Sequence, residues 1–236
     1  MSNTSSTNPD PEFDAYAVDY DAALERGISV SGEHKEYFAQ GRVNWLADRL
    51  AKLSVAPTRI FDFGCGTGTG ARILAEKYPA AKVLGVDISG SSLEVGRKLH
   101  AAAGVRFQLT EKHQPDGDMD LAFCNGVFHH IPLTERSGAV NTVFRSLKSG
   151  GLFAFWENNP WNPGTRYVMS RIPFDRDAIT LPPPEARRLL RAGGFEILRT
   201  DFLFIFPKAF GWLRAFEPAL ASLPLGAQYM VLGFKR

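Results

Sequence analysis

From Arg59 onward, short unbroken apolar runs alternate with longer segments whose apolar residues recur every three or four positions. The first kind of pattern predicts buried strands and the second amphipathic helices. Arg59-Ile-Phe-Asp-Phe63, Lys82-Val-Leu-Gly-Val-Asp87, Val105-Arg-Phe-Gln-Leu109, Met119-Asp-Leu-Ala-Phe-Cys124 and Leu152-Phe-Ala-Phe-Trp156 read as five strands. Between them, Ala71 to Tyr78, Ser91 to Ala103 and Glu135 to Leu147 read as helices, stopped by Pro79, Gly104 and Gly150-Gly151. Proline cannot continue a helix and glycine readily caps one. Strand–helix alternation of this kind predicts a parallel sheet with helices on both faces.

The rhythm differs at both ends. Residues 1–12 are polar and rich in Ser, Thr, Asn and Pro, and read as a disordered tail. Phe13, Ala17, Tyr20 and Leu24 then recur at helical spacing before Gly27, and a second helix is expected from about Gly32 to Leu53. Past Trp156, residues 157–182 show no clear period and read as a loop insertion with short helical turns. Pro184 to Ala192 predicts a helix that opens on prolines and stops at Gly193-Gly194. Phe195 to Phe206 and Gln228 to Lys235 predict two last strands, joined by a segment with helical spacing. Phe202, Phe204, Phe206, Phe210, Trp212 and Phe216 are expected in the core, the alternative being an apolar groove or membrane-surface patch. The expectation is one domain over residues 13–236, with a helical cap (13–56) and the insertion (157–182) beside it.

Composition narrows the partners. A formal net charge of +2, with no run of five basic residues, gives no electrostatic reason to expect nucleic acid. Two cysteines, Cys65 and Cys124, suit free thiols in a reducing cytoplasm, and no metal-ligand spacing is present. No apolar run approaches the ~20 residues of a spanning helix, and the N-terminus lacks the pattern of a secretory signal.

The strongest chemical signal is Asp62-Phe-Gly64-Cys-Gly66-Thr-Gly68, placed between a predicted strand and a predicted helix. In doubly wound sheets, ligands sit at the carboxyl ends of the strands, where the strand order reverses. Glycines let the backbone turn tightly and approach a ligand without an intervening Cβ. Nineteen residues past Gly68, Asp87 ends the second strand, where a carboxylate can accept the hydroxyl hydrogens of a ribose. Read from Gly66, the same segment fits a dinucleotide fingerprint and hence a nicotinamide-dependent oxidoreductase. That register is disfavoured because Gly64 closes the strand and because Asp62 would repel a pyrophosphate. A ligand carrying an ammonium group would welcome Asp62.

Phe61-Asp-Phe-Gly-Cys-Gly-Thr-Gly68 and Gly-Val-Asp87-Ile-Ser resemble the first two motifs of class I S-adenosylmethionine-dependent methyltransferases. Met119 to Ile131, Leu147-Lys-Ser-Gly-Gly-Leu152 and Leu189 to Phe195 are similar to later motifs of that family. The resemblance implies a Rossmann-like seven-stranded sheet with its last strand antiparallel, and S-adenosylmethionine as cofactor. It implies that Asp62, Gly64, Gly66 and Gly68 lie near the donor, that Asp87 holds the ribose, and that Ile88 packs on the adenine. The adenine amino group would meet Glu111, Thr110 or backbone. Asn125 and Gly126 would border the methionine part, bracketed by Tyr20 and Arg42, although Arg42 serves equally well as an ordinary helix residue.

Methyl transfer to oxygen gains from a base, and His129 and His130 stand just past the fourth strand. Adjacent residues point in different directions, so one is expected to face the ligands, with His130 the first choice. Tyr16, Tyr37, Glu157, Asn158, Arg166 and Tyr167 are candidate walls for an acceptor. Asn158-Asn159-Pro160-Trp161 resembles a motif of amino-methylating enzymes but follows the fifth strand rather than the fourth, so it carries little weight. The expected function is methyl transfer to a small-molecule hydroxyl, in a monomer or homodimer; a lipid-linked acceptor and a catalytically silent donor-binding protein are the alternatives.

Overall fold

The computed structural model describes residues 25–100, 103–172 and 178–236. The tail, the helix expected over 13–24, Tyr16 and Tyr20 lie outside the described residues. One seven-stranded sheet has the order β3-β2-β1-β4-β5-β7-β6, formed by β1 (Arg59–Phe63), β2 (Lys82–Asp87), β3 (Val105–Leu109), β4 (Met119–Asn125), β5 (Leu147–Asn158), β6 (Glu196–Leu203) and β7 (Gln228–Phe234). β1 pairs in parallel with β2 and β4, while β7 runs antiparallel between β5 and β6. The expected sheet, with its antiparallel last strand, is present. The strand order reverses between β1 and β4, so the carboxyl ends of β1, β2 and β4 frame a crevice.

Helices cover both faces. On one, α1 (Lys35–Lys52) and α2 (Thr69–Lys77) bury Val43, Leu46, Leu50, Ile73 and Leu74 against Ile60, Phe123 and Trp156. The 3- and 4-residue spacing of Val43, Leu46 and Leu50 puts all three on one stripe of α1. α3 (Gly90–Leu99) lies beside β2 and β3, its N-terminus capped by Ser89, which accepts from Ser92 N at 3.1 Å. On the other face, α4 (Arg136–Ser146) and α6 (Pro183–Ala192) bury Val140, Val143, Ala186 and Leu190 against Phe61, Phe153 and Phe155.

α1 is also pinned by charge. Asp201 of β6, fully buried, accepts from Trp45 Nε1 at 2.8 Å, Arg49 Nε at 2.9 Å and Arg199 Nη2 at 2.6 Å. A buried carboxylate is tolerable only with donors of this kind around it. The pin fixes one wall of the crevice to the far edge of the sheet.

Three expectations need correction. β5 runs through the glycine pair and on to Asn158, because β7 hydrogen-bonds along it from Leu152 to Asn158. The insertion contains a nine-residue helix, α5 (Pro163–Arg171), whose start is fixed by Asn162 accepting from Thr165 N at 3.0 Å. Of the aromatic set placed in the core, Phe202 is buried, but Phe210, Trp212 and Phe216 are exposed. They lie in a 3-10 segment (Lys208–Phe216) whose tighter winding does not present one continuous helical stripe.

Candidate active site

The turn after β1 is built from its glycines. Gly64, Gly66 and Gly68 take φ values of +72°, +53° and +83°, which residues with a Cβ adopt only under strain. Gly64 and Cys65 donate their N–H groups to Val86 O at 2.8 and 3.0 Å. Gly66 N donates to Asp87 Oδ2 at 2.7 Å, while Ser89 N donates to Asp87 Oδ1 at 2.9 Å. Asp87 therefore locks the β1 and β2 turns together. The three glycines do different work. A Cβ on Gly64 would come within 2.3 Å of Val127, and one on Gly68 within 2.5 Å of the Phe107 ring. A Cβ on Gly66 would meet no atom of the described residues within 4 Å, so its bare backbone faces open space among them. Gly68 is accordingly a packing glycine, buried under Phe107, rather than a cavity-lining residue.

A cavity of about 130 Å³ opens there, lined by Asp62, Gly64, Gly66, Thr67, Arg42 and Asn125 among others. Burial, aided by the charge of Asp87, raises the Asp62 carboxyl from an ordinary 3.8 to about 7, although Arg42 and the Ala71 N–H pull it down. Asn125 Oδ1 is buried with no hydrogen-bond partner among the described residues. Two buried acceptors, one of them unsatisfied, ask for a donor. Burial, with Asp62 and Asp87 adding to it, holds the Cys65 thiol well above its ordinary value, which makes it no nucleophile.

A second cavity, about 420 Å³, shares Lys35, Arg42 and Asn125 with the first. Its walls include Tyr37, Phe38, Phe204, Phe206, Met169 and Ile172, with Gly126, His129, His130, Asn158, Tyr167 and Gln228 adding polar groups. Arg42 Nη1 donates to Gln228 Oε1 at 2.8 Å, and Gln228 Nε2 to Asn158 Oδ1 at 3.2 Å. Both histidines line this cavity, against the expectation that only one would. Residues 127–130 form a turn, with His130 N donating to Val127 O at 3.0 Å, so the strand's alternation no longer applies. Their rings lie 4.1 Å apart between centroids.

Glu157, expected on the acceptor wall, is instead buried behind His129. Its Oε1 accepts from Phe128 N at 2.8 Å and its Oε2 from His129 Nδ1 at 2.7 Å. With Nδ1–H donated to Glu157, Nε2 becomes the basic nitrogen of the ring. Arg166 is exposed and does not line the cavity, because α5 turns its Thr165–Met169 face inward. Ile88 (58% exposed) lies just beyond Asp87, and Glu111 is exposed on the 3-10 turn after β3. Gln228, Met169 and Ile172 were not foreseen, and Phe204 and Phe206, expected in the core with an apolar groove as the alternative, line the cavity. They reach the site from β6, β7 and α5, whose positions follow from strand order rather than from any local motif.

Comparison with known proteins agrees with the geometry. A family model described as "Methyltransferase domain" matches residues 60–151, the segment that holds the glycine turn, Asp87, Asn125 and the two histidines. Residues 60–151 thus match a methyltransferase domain. The trans-aconitate 2-methyltransferase of Methylobacterium nodulans is 32% identical over 159 residues, covering 66% of this chain and 57% of that one. A malonyl-[acyl-carrier protein] O-methyltransferase of Acetivibrio thermocellus is 31% identical over 135 residues, covering 54% of this chain and 47% of the other. The chain thus spans about half the length of these curated relatives. A TehB-like SAM-dependent methyltransferase from Corynebacterium glutamicum superimposes with a TM-score of 0.62 at 16% identity, covering 94% of this chain and 99% of that one. The [4+2]-cyclase SpnF superimposes with a TM-score of 0.58 at 20% identity, covering 80% and 79%. The methyltransferase domain's cofactor is S-adenosylmethionine, and the residues present fit it. The unsatisfied Asn125 Oδ1 and the Asp62 carboxyl suit an ammonium group, and the open backbone at Gly66 suits a closely packed ligand. The dinucleotide register loses its footing, since Gly64 closes β1.

Proposed function

We propose that this protein transfers a methyl group from S-adenosylmethionine to a hydroxyl oxygen of a small molecule, with His129 as general base. The observation that carries this reading is the His129 Nδ1–Glu157 Oε2 hydrogen bond of 2.7 Å, at the wall of the larger cavity. When bound, the donor supplies an activated methyl group on a sulfonium. Asp62 and Asn125 would hold its ammonium, Gly64 and Gly66 its methionine part, and Asp87 its ribose. Ile88 would pack on the adenine, with Glu111 nearby. Arg42, tied to Gln228, lines both cavities and supports an ordered passage between donor and acceptor. Glu157 holds His129 in the tautomer whose Nε2 can take the acceptor's proton. A positioned base of this kind contributes about 10²–10⁴-fold. His130, Tyr37, Asn158 and Tyr167 belong to the acceptor wall. Free Cys65 and Cys124 support a cytoplasmic setting.

Calorimetric titration with S-adenosylhomocysteine, on wild type and Asp87→Ala, tests the donor half. Micromolar binding weakened at least tenfold in the variant is the expected result, and no binding to wild type would overturn the reading. Labelled methyl transfer from S-adenosylmethionine to a panel of phenols, alcohols, amines and carboxylic acids tests the acceptor half.

A further inference from the structure

The larger cavity also carries information about the acceptor's body. Resting on the methyl-transfer reading above, we propose that the acceptor is an uncharged aromatic alcohol of the phenol class, and not a carboxylate. Two independent features carry this.

The first is the state of the base. A carboxylate acceptor is already ionised near neutral pH and needs no proton removed; a phenol, ordinarily near 10, does. Glu157 is 1% exposed and hydrogen-bonded to Phe128 N as well as to His129. A histidine backed by a buried carboxylate is arranged to receive a proton, because an imidazolium there pairs with Glu157. An acceptor arriving as an anion would meet the repulsion of that carboxylate. Two of the positive charges that line the cavity, Arg214 and Arg42, are already engaged. Arg214 Nη1 donates to Glu33 Oε1 at 2.8 Å, and its Nε to Phe206 O at 3.0 Å. Arg42 offsets Asp62 and donates to Gln228. Lys35 lines both cavities.

The second is the wall. Phe204 sits at φ +63°, a left-handed conformation that strains a bulky residue. Strain of that kind persists where the placement of the side chain matters. It turns the ring inward from the end of β6, 5.0 Å from Phe38 and 6.0 Å from Tyr37 between centroids. Gly41 on α1 makes room for it, since a Cβ there would fall 2.7 Å from the Phe204 ring. Tyr37 and Phe38 themselves meet edge to face at 5.4 Å. Three rings in tilted and edge-on contact form a surface onto which a further ring packs.

The reaction balances with the groups present. The acceptor's O–H proton passes to His129 Nε2 as the O–CH3 bond forms and the methyl–sulfur bond breaks. His129 then sheds its proton to solvent.

The test uses a matched pair, 2-naphthol and 2-naphthoate, titrated into S-adenosylhomocysteine-saturated protein at pH 7.5. Expected is at least tenfold tighter binding of 2-naphthol. Glu157→Gln should narrow that ratio by relieving the repulsion of the carboxylate. Phe204→Gly, which suits the positive φ and so keeps the fold, should weaken both ligands about tenfold. Naphthoate binding as tightly as naphthol, or neither ligand binding, would overturn the proposal on wild type alone. If S-adenosylhomocysteine itself fails to bind, the donor reading falls separately. The naphthol–naphthoate comparison on the protein without it still reports on the cavity.

Discussion

Asp62 gives the donor reading its sharpest consequence, because its carboxyl titrates near neutrality. Burial and the charge of Asp87 raise it from 3.8 to about 7. A cationic ammonium set against it favours the ionised form and must expel the proton. At pH 7 about half of the molecules carry that proton, so binding S-adenosylhomocysteine should release ~0.5 proton; the figure rises to ~0.9 at pH 6 and falls to ~0.1 at pH 8. Below pH ~6 the apparent affinity should weaken about tenfold per pH unit. Isothermal titration in buffers of different ionisation enthalpy reads the proton count directly as a slope. Asp62→Asn should flatten that slope at pH 6–7. The same shift has a stability consequence of defined sign. A carboxyl whose folded value lies above its unfolded one costs stability that is absent below pH ~4, grows as pH rises through 4 to 7, and is fully felt above 7. The rise from 3.8 to about 7 corresponds to about 4 kcal/mol. Asp62→Asn should therefore melt higher than wild type at pH 8, with the advantage vanishing toward pH 4. A wild-type slope of zero at pH 7, or a slope unchanged in Asp62→Asn, would refute the assignment of the ammonium site.

The glycine turn separates fold from binding. Gly64→Ala drives a Cβ to 2.3 Å from Val127 at φ +72° and should cost at least about 2 kcal/mol of stability in urea denaturation. Gly66→Ala meets no neighbour among the described residues at φ +53° and should cost about 1 kcal/mol, yet abolish micromolar S-adenosylhomocysteine binding in a titration. Arg49→Met removes a donor from the buried Asp201 and should destabilise by about 3 kcal/mol, lowering the denaturation midpoint with little change in slope. With any accepted acceptor, Glu157→Gln should lower kcat about 10²-fold with KM for the donor unchanged.

What could be read from the residues follows a physical division. The β1–β2–β4 edge was legible because each element there is local: a strand, a turn that demands glycines, a carboxylate at the next strand's end. Gly66 and Asp87 are tied by a contact about twenty residues apart, and their types announce it. The same logic overreached at Gly68, where the demand for glycine comes from the Phe107 ring rather than from a ligand, and the two demands leave the same letter in the sequence. The acceptor side was hidden for the opposite reason. Glu157 reads as an exposed acid after an apolar strand. Only the parallel β4–β5 register, which sets Asn125 beside Trp156, brings it behind His129. Gln228 meets Asn158 and Arg42 through the antiparallel return of β7, and Phe204 reaches Tyr37 and Phe38 through a positive φ that no aromatic residue advertises. The donor site is thus written in short-range backbone requirements and the acceptor site in strand order. A single substitution at Glu157, Gln228 or Phe204 should therefore redirect which acceptor is used while leaving donor binding within twofold of wild type. A titration of S-adenosylhomocysteine into those three variants decides the point, and a loss beyond tenfold in any of them would show that the two halves are not separable.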